Sequence, residues 1–478
     1  MSCGCPTNQI DSNMKRTLFS LAAATLLAVS ASAQQAIPQF QAGERVAFIG
    51  DSITHGGHYH SYVWLYYMTR FPNMPVYFLN CGIGGDTADS MDYRLASDVL
   101  AKDPTYMTLT FGMNDSGYWD TYNREDTEEL SNKKVEASLK AFDSIVTQMK
   151  AWDGDADIVM IGGSPYDETS RFNNDVLVGK NAAICRIIDR QKEVAGQNGW
   201  GFVDFNAPMV EIAETEQVKD STFCFSRQDR IHPDQDGQMV MAYLFLKAQG
   251  LAGRKVAQMG INARRAKVME QEYCKVTSVV KGDGCLSFDY LAESLPYPCD
   301  SISEHGWANI RSQKDAMDLI PFMEEFNQEI LRVEGLEEGT YKLTIDGTFI
   351  DDLTADQLSE GVNLAAYVNT PQYRQASAIM YMNEERLEME KRMREYVWMH
   401  TNMFRGTDQI YVDDDNAINA ITKEEQKGNW FVGMSNYWYR KSHFPEIRHL
   451  WQSYMDEIVT TIYKVNKPEI RHFSLEKQ

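Results

Sequence analysis

The chain of 478 residues is 43% hydrophobic and 11% aromatic, ample for packed cores and inconsistent with a disordered polymer. Its length suggests about two or three domains. A formal net charge of −22 argues against nucleic acid or an anionic membrane surface as a partner.

In chain order, the first feature has the layout of an export signal. Lys15-Arg16 supplies a positive start, residues 18–29 an apolar core, and Ala31-Ser32-Ala33 a small-residue cleavage site. Residues 1–33 are therefore expected to be a signal peptide, with Met14 as an alternative start. The mature chain is expected to be exported, either periplasmic or secreted. The apolar run is short of the roughly 20 residues a spanning helix needs, and no cysteine follows it to carry a lipid, so no stable membrane anchor is expected. Beyond the cleavage site lie Cys81, Cys185, Cys224, Cys274, Cys285 and Cys299. No C-x-x-C pair points to a zinc knuckle. Cys81 and Cys185 sit in apolar or helical runs and read as buried free thiols.

Residues 40–252 alternate strand-like and helix-like runs. Residues 46–49, 76–80, 105–111, 157–161 and 201–205 are short, apolar and β-rich. Helical patterns fall at 61–70, 88–101, 133–152 and 176–197, and a closing helix at 234–247. This alternation predicts a parallel sheet with helices on both faces. Residues 253–353 change texture. Strands are expected at 274–280 and 284–291 around Lys281-Gly282-Asp283, and a second hairpin at 330–333 and 340–345 around Glu337-Glu338-Gly339. That pattern predicts a small antiparallel β region. Residues 354–478 read as a helical region, with long helices at 372–403 and 443–464. Met380, Met382, Met389, Met393, Met399 and Met403 are expected to fill the seam between packed helices rather than to bind a ligand. Asp413-Asp414-Asp415-Asn416 reads as a solvated loop; it lacks the glycine and distal glutamate of a calcium loop.

Four short blocks carry chemistry. The strand at 46–49 stops at Gly50-Asp51-Ser52, which leaves a serine hydroxyl at the carboxyl edge, where ligands bind in open α/β sheets. Asn80-Cys81-Gly82-Ile83-Gly84-Gly85-Asp86-Thr87 is a glycine-rich turn straight after a strand, whose backbone amides can approach a bound group closely. It has neither dinucleotide spacing nor a phosphate-loop lysine. Phe111-Gly112-Met113-Asn114-Asp115 places an amide side chain at another strand end. Asp229-Arg230-Ile231-His232-Pro233 sets an aspartate three residues before a histidine, a spacing that can orient the imidazole and stabilise its cation.

Together, in this order, the blocks resemble the SGNH, or GDSL, hydrolase family over roughly residues 45–250. The resemblance implies a flavodoxin-like α/β/α three-layer fold with no metal and no organic cofactor. It implies Ser52 as nucleophile, His232 as general base and then acid, and Asp229 as its orienting partner. The oxyanion donors it implies are the Ser52 amide, the Gly85 amide and the Asn114 side chain, with Gly82 or Gly84 as alternatives to Gly85. Asp51, His55 and Tyr118 are expected at the substrate, together with aromatic residues Tyr59, Tyr62, Trp64 and Trp119. His55, His58 and His60 form a rival set of zinc ligands, but in a loop that spacing is not diagnostic. The function expected is an exported esterase that removes small acyl groups, acetyl above all, from a small molecule or a polysaccharide. A lipase, lysophospholipase or thioesterase is the enzymatic alternative, and a glycan-binding protein on a hydrolase scaffold the non-enzymatic one.

Overall fold

The computed structural model describes residues 36–302 and 310–478; the expected signal peptide lies outside them. Five strands form one parallel sheet: β1 (Arg45–Gly50), β2 (Tyr77–Gly82), β3 (Tyr106–Leu109), β4 (Asp157–Gly162) and β5 (Gly201–Asp204). Their spatial order is β2-β1-β3-β4-β5 and every pairing is parallel. This is the flavodoxin-like winding, whose switch point lies between β1 and β3.

Alternation along β1 explains the three layers. Val46 and Phe48 face one core, Ala47 and Ile49 the other. The first core is covered by α2 (Tyr59–Arg70) and α7 (Gln235–Ala248), the second by α3 (Ala88–Arg94) and α4 (Thr127–Ala151). Helix α5 (Lys180–Asn198) contributes Ile184 and Ile188 to one core and Ala183 and Ile187 to the other. The short helix α1 (Ser52–Gly56) follows β1 directly, and α6 (Asn206–Lys219), absent from the sequence reading, follows β5. The aromatic residues Tyr59, Tyr62 and Trp64, expected near substrate, are buried in the first core.

The β-rich region is a pair of facing sheets. One runs β13-β10-β6-β7, from β6 (Ala257–Asn262), β7 (Lys267–Glu272), β10 (Glu329–Glu334) and β13 (Val362–Asn363). The other runs β12-β11-β14-β9-β8, from β8 (Cys274–Lys281), β9 (Cys285–Ala292), β11 (Thr340–Ile345), β12 (Thr348–Thr354) and β14 (Arg471–Lys477). Two expectations need correction. The runs at 330–333 and 340–345 are not a hairpin: β10 pairs in parallel with β6, and β11 pairs with β12 and β14 in the other sheet. The turn between them therefore crosses from one sheet to the other. Nor is the chain helical to its end. Phe473 and Leu475 alternate into the shared core, with the Phe473 ring stacked 4.9 Å from Phe288, and this makes β14 a central strand.

The helical region contains α10 (Pro371–Trp398), α11 (Asp415–Gln426), α12 (Trp430–Ser442) and α13 (Pro445–Val465), besides the short α8 (Phe322–Phe326) and α9 (Ala355–Glu360) before it. Thr370 caps α10 by accepting from the Tyr373 amide, and Pro371 fills its first position. Ala376, Ile379 and Met380 join the first core of the α/β region. The acidic run is solvated except at its first residue, which is half-buried. Asp413 accepts from the hydroxyls of Tyr396 (2.9 Å) and Tyr439 (3.1 Å) and pairs with His400 and Arg448. Asp414 caps α11.

A buried ionic cluster ties α10 to the sheet. Asp98 accepts from Arg94 Nη1 at 2.7 Å, from Arg394 Nη1 at 2.9 Å and Nη2 at 2.5 Å, and from Lys102 at 2.6 Å. Burial pushes the Asp98 carboxyl up, but Arg394 and Lys102 outweigh it and hold the group well below the usual carboxylate range. Asp98→Ala would leave the buried Arg394 guanidinium without its carboxylate partner and Arg94 with Asp86 alone. It should cost about 3–5 kcal/mol of unfolding free energy, read from urea unfolding at pH 7. Because the folded-state value is depressed, the contribution is complete above the ordinary aspartate value of about 4. It should be lost only as the pH falls through the lowered value.

Candidate active site

The carboxyl edge of the parallel sheet gathers the four blocks. Gly50 ends β1 where a Cβ would stand 2.1 Å from Thr54 Oγ1, so only glycine lets the chain turn into α1. Asp51 caps that helix by accepting from the Ile53 amide at 2.9 Å. Burial pushes its carboxyl up to about 6, with the Ile53 amide and His232 pulling it back. Ser52, the first residue of α1, lies with its Oγ 2.8 Å from His232 Nε2. His232 Nδ1 is 2.5 Å from Asp229 Oδ2, and Asp229 Oδ1 accepts from the amides of Ile231 (2.8 Å) and His232 (2.9 Å). The Asp229 carboxyl is raised by burial, but His232 and these amides win and leave it below its usual range. An aspartate bonded to Nδ1 fixes the tautomer that leaves Nε2 free to take a proton from Ser52.

The loop bearing Asp229 and His232 is held by a residue the sequence reading passed over. Arg230 sits between them at φ +64, a conformation that costs a non-glycine residue about 1–3 kcal/mol. Its buried guanidinium offsets this by donating to the carbonyls of Asp167, Ser170 and Asn173, and by stacking 4.4 Å over the Phe172 ring.

The glycine-rich turn selects its own donor. Gly82 donates to Asn80 Oδ1 at 2.9 Å, and Gly84 donates to His55 Nδ1 at 3.3 Å. Asp86 N closes the turn onto the Ile83 carbonyl at 3.2 Å, with Gly85 at φ +81. Among the described residues, only the Gly85 amide of these three glycines has no acceptor. Asn114 has its amide orientation fixed: Nδ2 donates to the Asp86 carbonyl at 2.9 Å and Oδ1 accepts from the Tyr118 hydroxyl at 2.8 Å. One Nδ2 hydrogen is left for a ligand. Asp115 braces the loop from behind, accepting from Ala88 N, Gly112 N and Ser138 Oγ. Lys180 braces it from below through Met113 O, Ser116 Oγ and Gly117 O, each within 2.7 Å, and burial drops its ammonium to about 7.

Two residues expected at the substrate are engaged by the protein itself. Asp51 is 4% exposed and occupied as a helix cap, and His55 is 8% exposed between Gly84 and Glu395. Tyr118 is half-buried and acts through Asn114. The three histidines are engaged separately: His60 with the Thr54 carbonyl and the Phe48 ring, His58 with the Tyr62 ring, His55 as above. Among the described residues no group of three possible metal ligands comes together.

Residues 48–240 match the model of the GDSL-like lipase/acylhydrolase family, and residues 377–467 match the model of a diltiazem deacetylase C-terminal helical domain. The structure of a gut microbial diltiazem-metabolizing enzyme is 46% identical, with a TM-score of 0.90, over 93% of this chain and all of that one. An acetylxylan esterase of Geobacillus stearothermophilus is 26% identical over 228 residues, 44% of this chain and 94% of that protein.

The arrangement around Asn114 has a kinetic consequence. A donor that meets charge present only in the transition state affects turnover more than the Michaelis constant. Asn114→Ala should lower kcat by about a hundredfold or more while KM changes little. Tyr118→Phe, which frees the Asn114 amide to rotate, should lower kcat by a smaller factor of about ten. Turnover and melting temperature measured on one preparation check both; a stability loss without a rate loss would assign Asn114 to the turn alone.

Proposed function

The chain belongs to the GDSL-like lipase/acylhydrolase family and is a carboxylic ester hydrolase; from that premise we propose that it removes acetyl groups from ring-bearing alcohols through a serine-bound acyl intermediate. The observation that carries the mechanism is the line Asp229–His232–Ser52, with contacts of 2.5 and 2.8 Å.

Ser52 Oγ attacks the ester carbonyl as His232 Nε2 takes its proton. The tetrahedral oxyanion is met by the Ser52 amide at the start of α1, the Gly85 amide and the free Asn114 Nδ2 hydrogen. His232 then gives its proton to the departing alcohol oxygen. Water, activated by the same imidazole, cleaves the acyl-serine, and the acid and Ser52 are released. Asp229 stabilises the imidazolium without itself taking the proton. Each preorganised donor at the oxyanion is worth about 3 kcal/mol.

Two features support the substrate class. The acetyl group is suggested by one relative, an acetylxylan esterase, and by the helical-domain family model, which is named for a deacetylase. The alcohol side is suggested by two aromatic pairs, each anchored on an oxyanion element. Tyr118, bonded to Asn114, stacks 6.1 Å from Trp119, which is 63% exposed. Trp398, bonded to the Gly84 carbonyl, stacks 6.3 Å from Phe431, which is 53% exposed. Such ring faces suit an acetylated sugar of a polysaccharide, in keeping with export through the segment at 1–33. An alcohol carried by a ring-bearing drug of the diltiazem kind is the second reading. It is favoured by the whole-chain likeness to the diltiazem-metabolizing enzyme, which includes the helical region carrying Trp398.

Ser52→Ala should abolish turnover and leave the fold intact, because Ser52 sits at the start of a short helix rather than in a core; more than a few per cent of wild-type activity in the folded variant would sink the assignment. A comparison of acetyl with octanoyl esters of one alcohol should favour acetyl by at least about tenfold, and the reverse preference would point to a lipase. Acetate release from acetylated xylooligosaccharides and from an aromatic drug acetate separates the two alcohol classes.

A further inference from the structure

Three side chains of α10 meet consecutive points on β2 and the turn after it. Glu390 accepts from the Asn80 amide at 2.8 Å, Arg394 Nε donates to the Gly82 carbonyl at 3.0 Å, and Trp398 Nε1 donates to the Gly84 carbonyl at 3.0 Å. The step is geometric. Four residues of helix rise about 6 Å, and two residues of extended chain advance about 6.6 Å. Every fourth residue of the helix therefore keeps pace with every second residue of the strand, and the third rung lands on the glycine turn.

The Gly84 carbonyl and the Gly85 amide are the two ends of one planar peptide. Whatever fixes the oxygen also aims the N–H. That peptide has little else to hold it: both residues are glycine, Gly85 is at φ +81, and a Cβ built there would meet nothing within 4 Å. A rotation of the plane would exchange one turn type for another at small cost between two glycines. It would also take the amide away from Ser52. The neighbouring peptides are already clamped, Ile83–Gly84 through His55 Nδ1 and Asp86–Thr87 through Asn114. A hydrogen bond received at the Gly84 oxygen further polarises the N–H at the other end of the plane.

We propose that Trp398 is a positioning residue for ester hydrolysis: its indole N–H holds the Gly84–Gly85 peptide in the orientation that presents the Gly85 amide to the oxyanion. The α/β region alone thus has an incompletely held oxyanion turn, which the helical region completes. The proposal rests on the reading of Ser52 as nucleophile and the Gly85 amide as oxyanion donor.

The test removes the N–H and keeps the ring. Two variants serve, Trp398→Phe and full-length protein with β-(3-benzothienyl)alanine at position 398 alone, an isostere of tryptophan with sulfur in place of N–H. Active sites are titrated with a chromogenic organophosphonate, so that turnover is expressed per competent molecule whatever fraction has folded. Both variants should lose about tenfold in kcat, the effect of one hydrogen bond, with KM within twofold. The midpoint of the acid limb of the pH profile should stay in place. Affinity for a trifluoromethyl ketone, which adds Ser52 and carries the tetrahedral oxyanion, should weaken by the same factor. Turnover per titrated site within twofold of wild type in the isostere variant would overturn the proposal, and so would a loss confined to Trp398→Phe, which would make Trp398 a packing residue. If the wild-type protein is not titrated by the organophosphonate and does not bind the ketone, the underlying reading of the site fails first, and the proposal with it.

Discussion

The outer edge of β2 is the constraint on which the rest of this structure depends. An edge strand presents a row of unpaired amides and carbonyls, and here that strand runs straight into the turn beside Ser52. Helix α10 covers the edge with side chains rather than with another strand: Glu390 receives the Asn80 amide, and Arg394 donates to the Gly82 carbonyl. A second guanidinium completes the arrangement from inside. Arg94, with no exposed surface, donates to Asp86 and Asp98 and to the carbonyls of Cys81 and Gly50. One side chain thus touches the residue before Asp51-Ser52 and both ends of the glycine turn. Burying these charges is costly in itself, and it is tolerated because Asp98 faces three cations at hydrogen-bond distance. What the cluster provides is a fixed relation between the serine and its oxyanion turn.

The same logic repeats around the site. None of the groups assigned to the reaction is held by its own backbone alone. Asn114 is oriented by Tyr118 and the Asp86 carbonyl, and its loop by Asp115 and Lys180. His232 is oriented by Asp229, and their loop by Arg230 against the 167–173 segment. Electrostatic stabilisation of a transition state works only if the donors need not reorganise when charge appears. Loops that carry donors therefore need buried, hydrogen-bonded support behind them, and in this protein charged side chains supply much of it. The β-rich region and α10 are part of the same construction, because the last strand, β14, returns after the long helices to the centre of a sheet.

Much of this was legible in the residues, and the reason is local. The strand at 46–49, the cap Asp51, the glycines of the 82–85 turn and the Asp-x-x-His step each answer a short-range demand: burial on two faces, an N-terminal acceptor, a positive φ, a side chain reaching three residues along. Such demands leave marks within a few positions, and the order in which they occurred was enough to anticipate the parallel sheet and the meeting of Ser52 with His232, 180 residues away. Pairing between elements left no such mark. The turn signal between β10 and β11 is genuine, but it does not say whether the strands after it pair together or part into different sheets.

The sequence by itself therefore determined the α/β architecture, the chemical types gathered at its carboxyl edge and the glycines that let the chain come close there. Only the tertiary structure decided which glycine amide stays free, that Asp51 caps a helix and His55 receives the Gly84 amide, that Asp413 is a half-buried hub, and that Trp398, 314 residues from Gly84, reaches the oxyanion turn. The physical reason is the same in each case. A backbone conformation is set by neighbours in the chain, whereas the partner of a side chain is set by which surfaces pack together, and a tryptophan on a helix reads the same whether it faces a core or a catalytic turn.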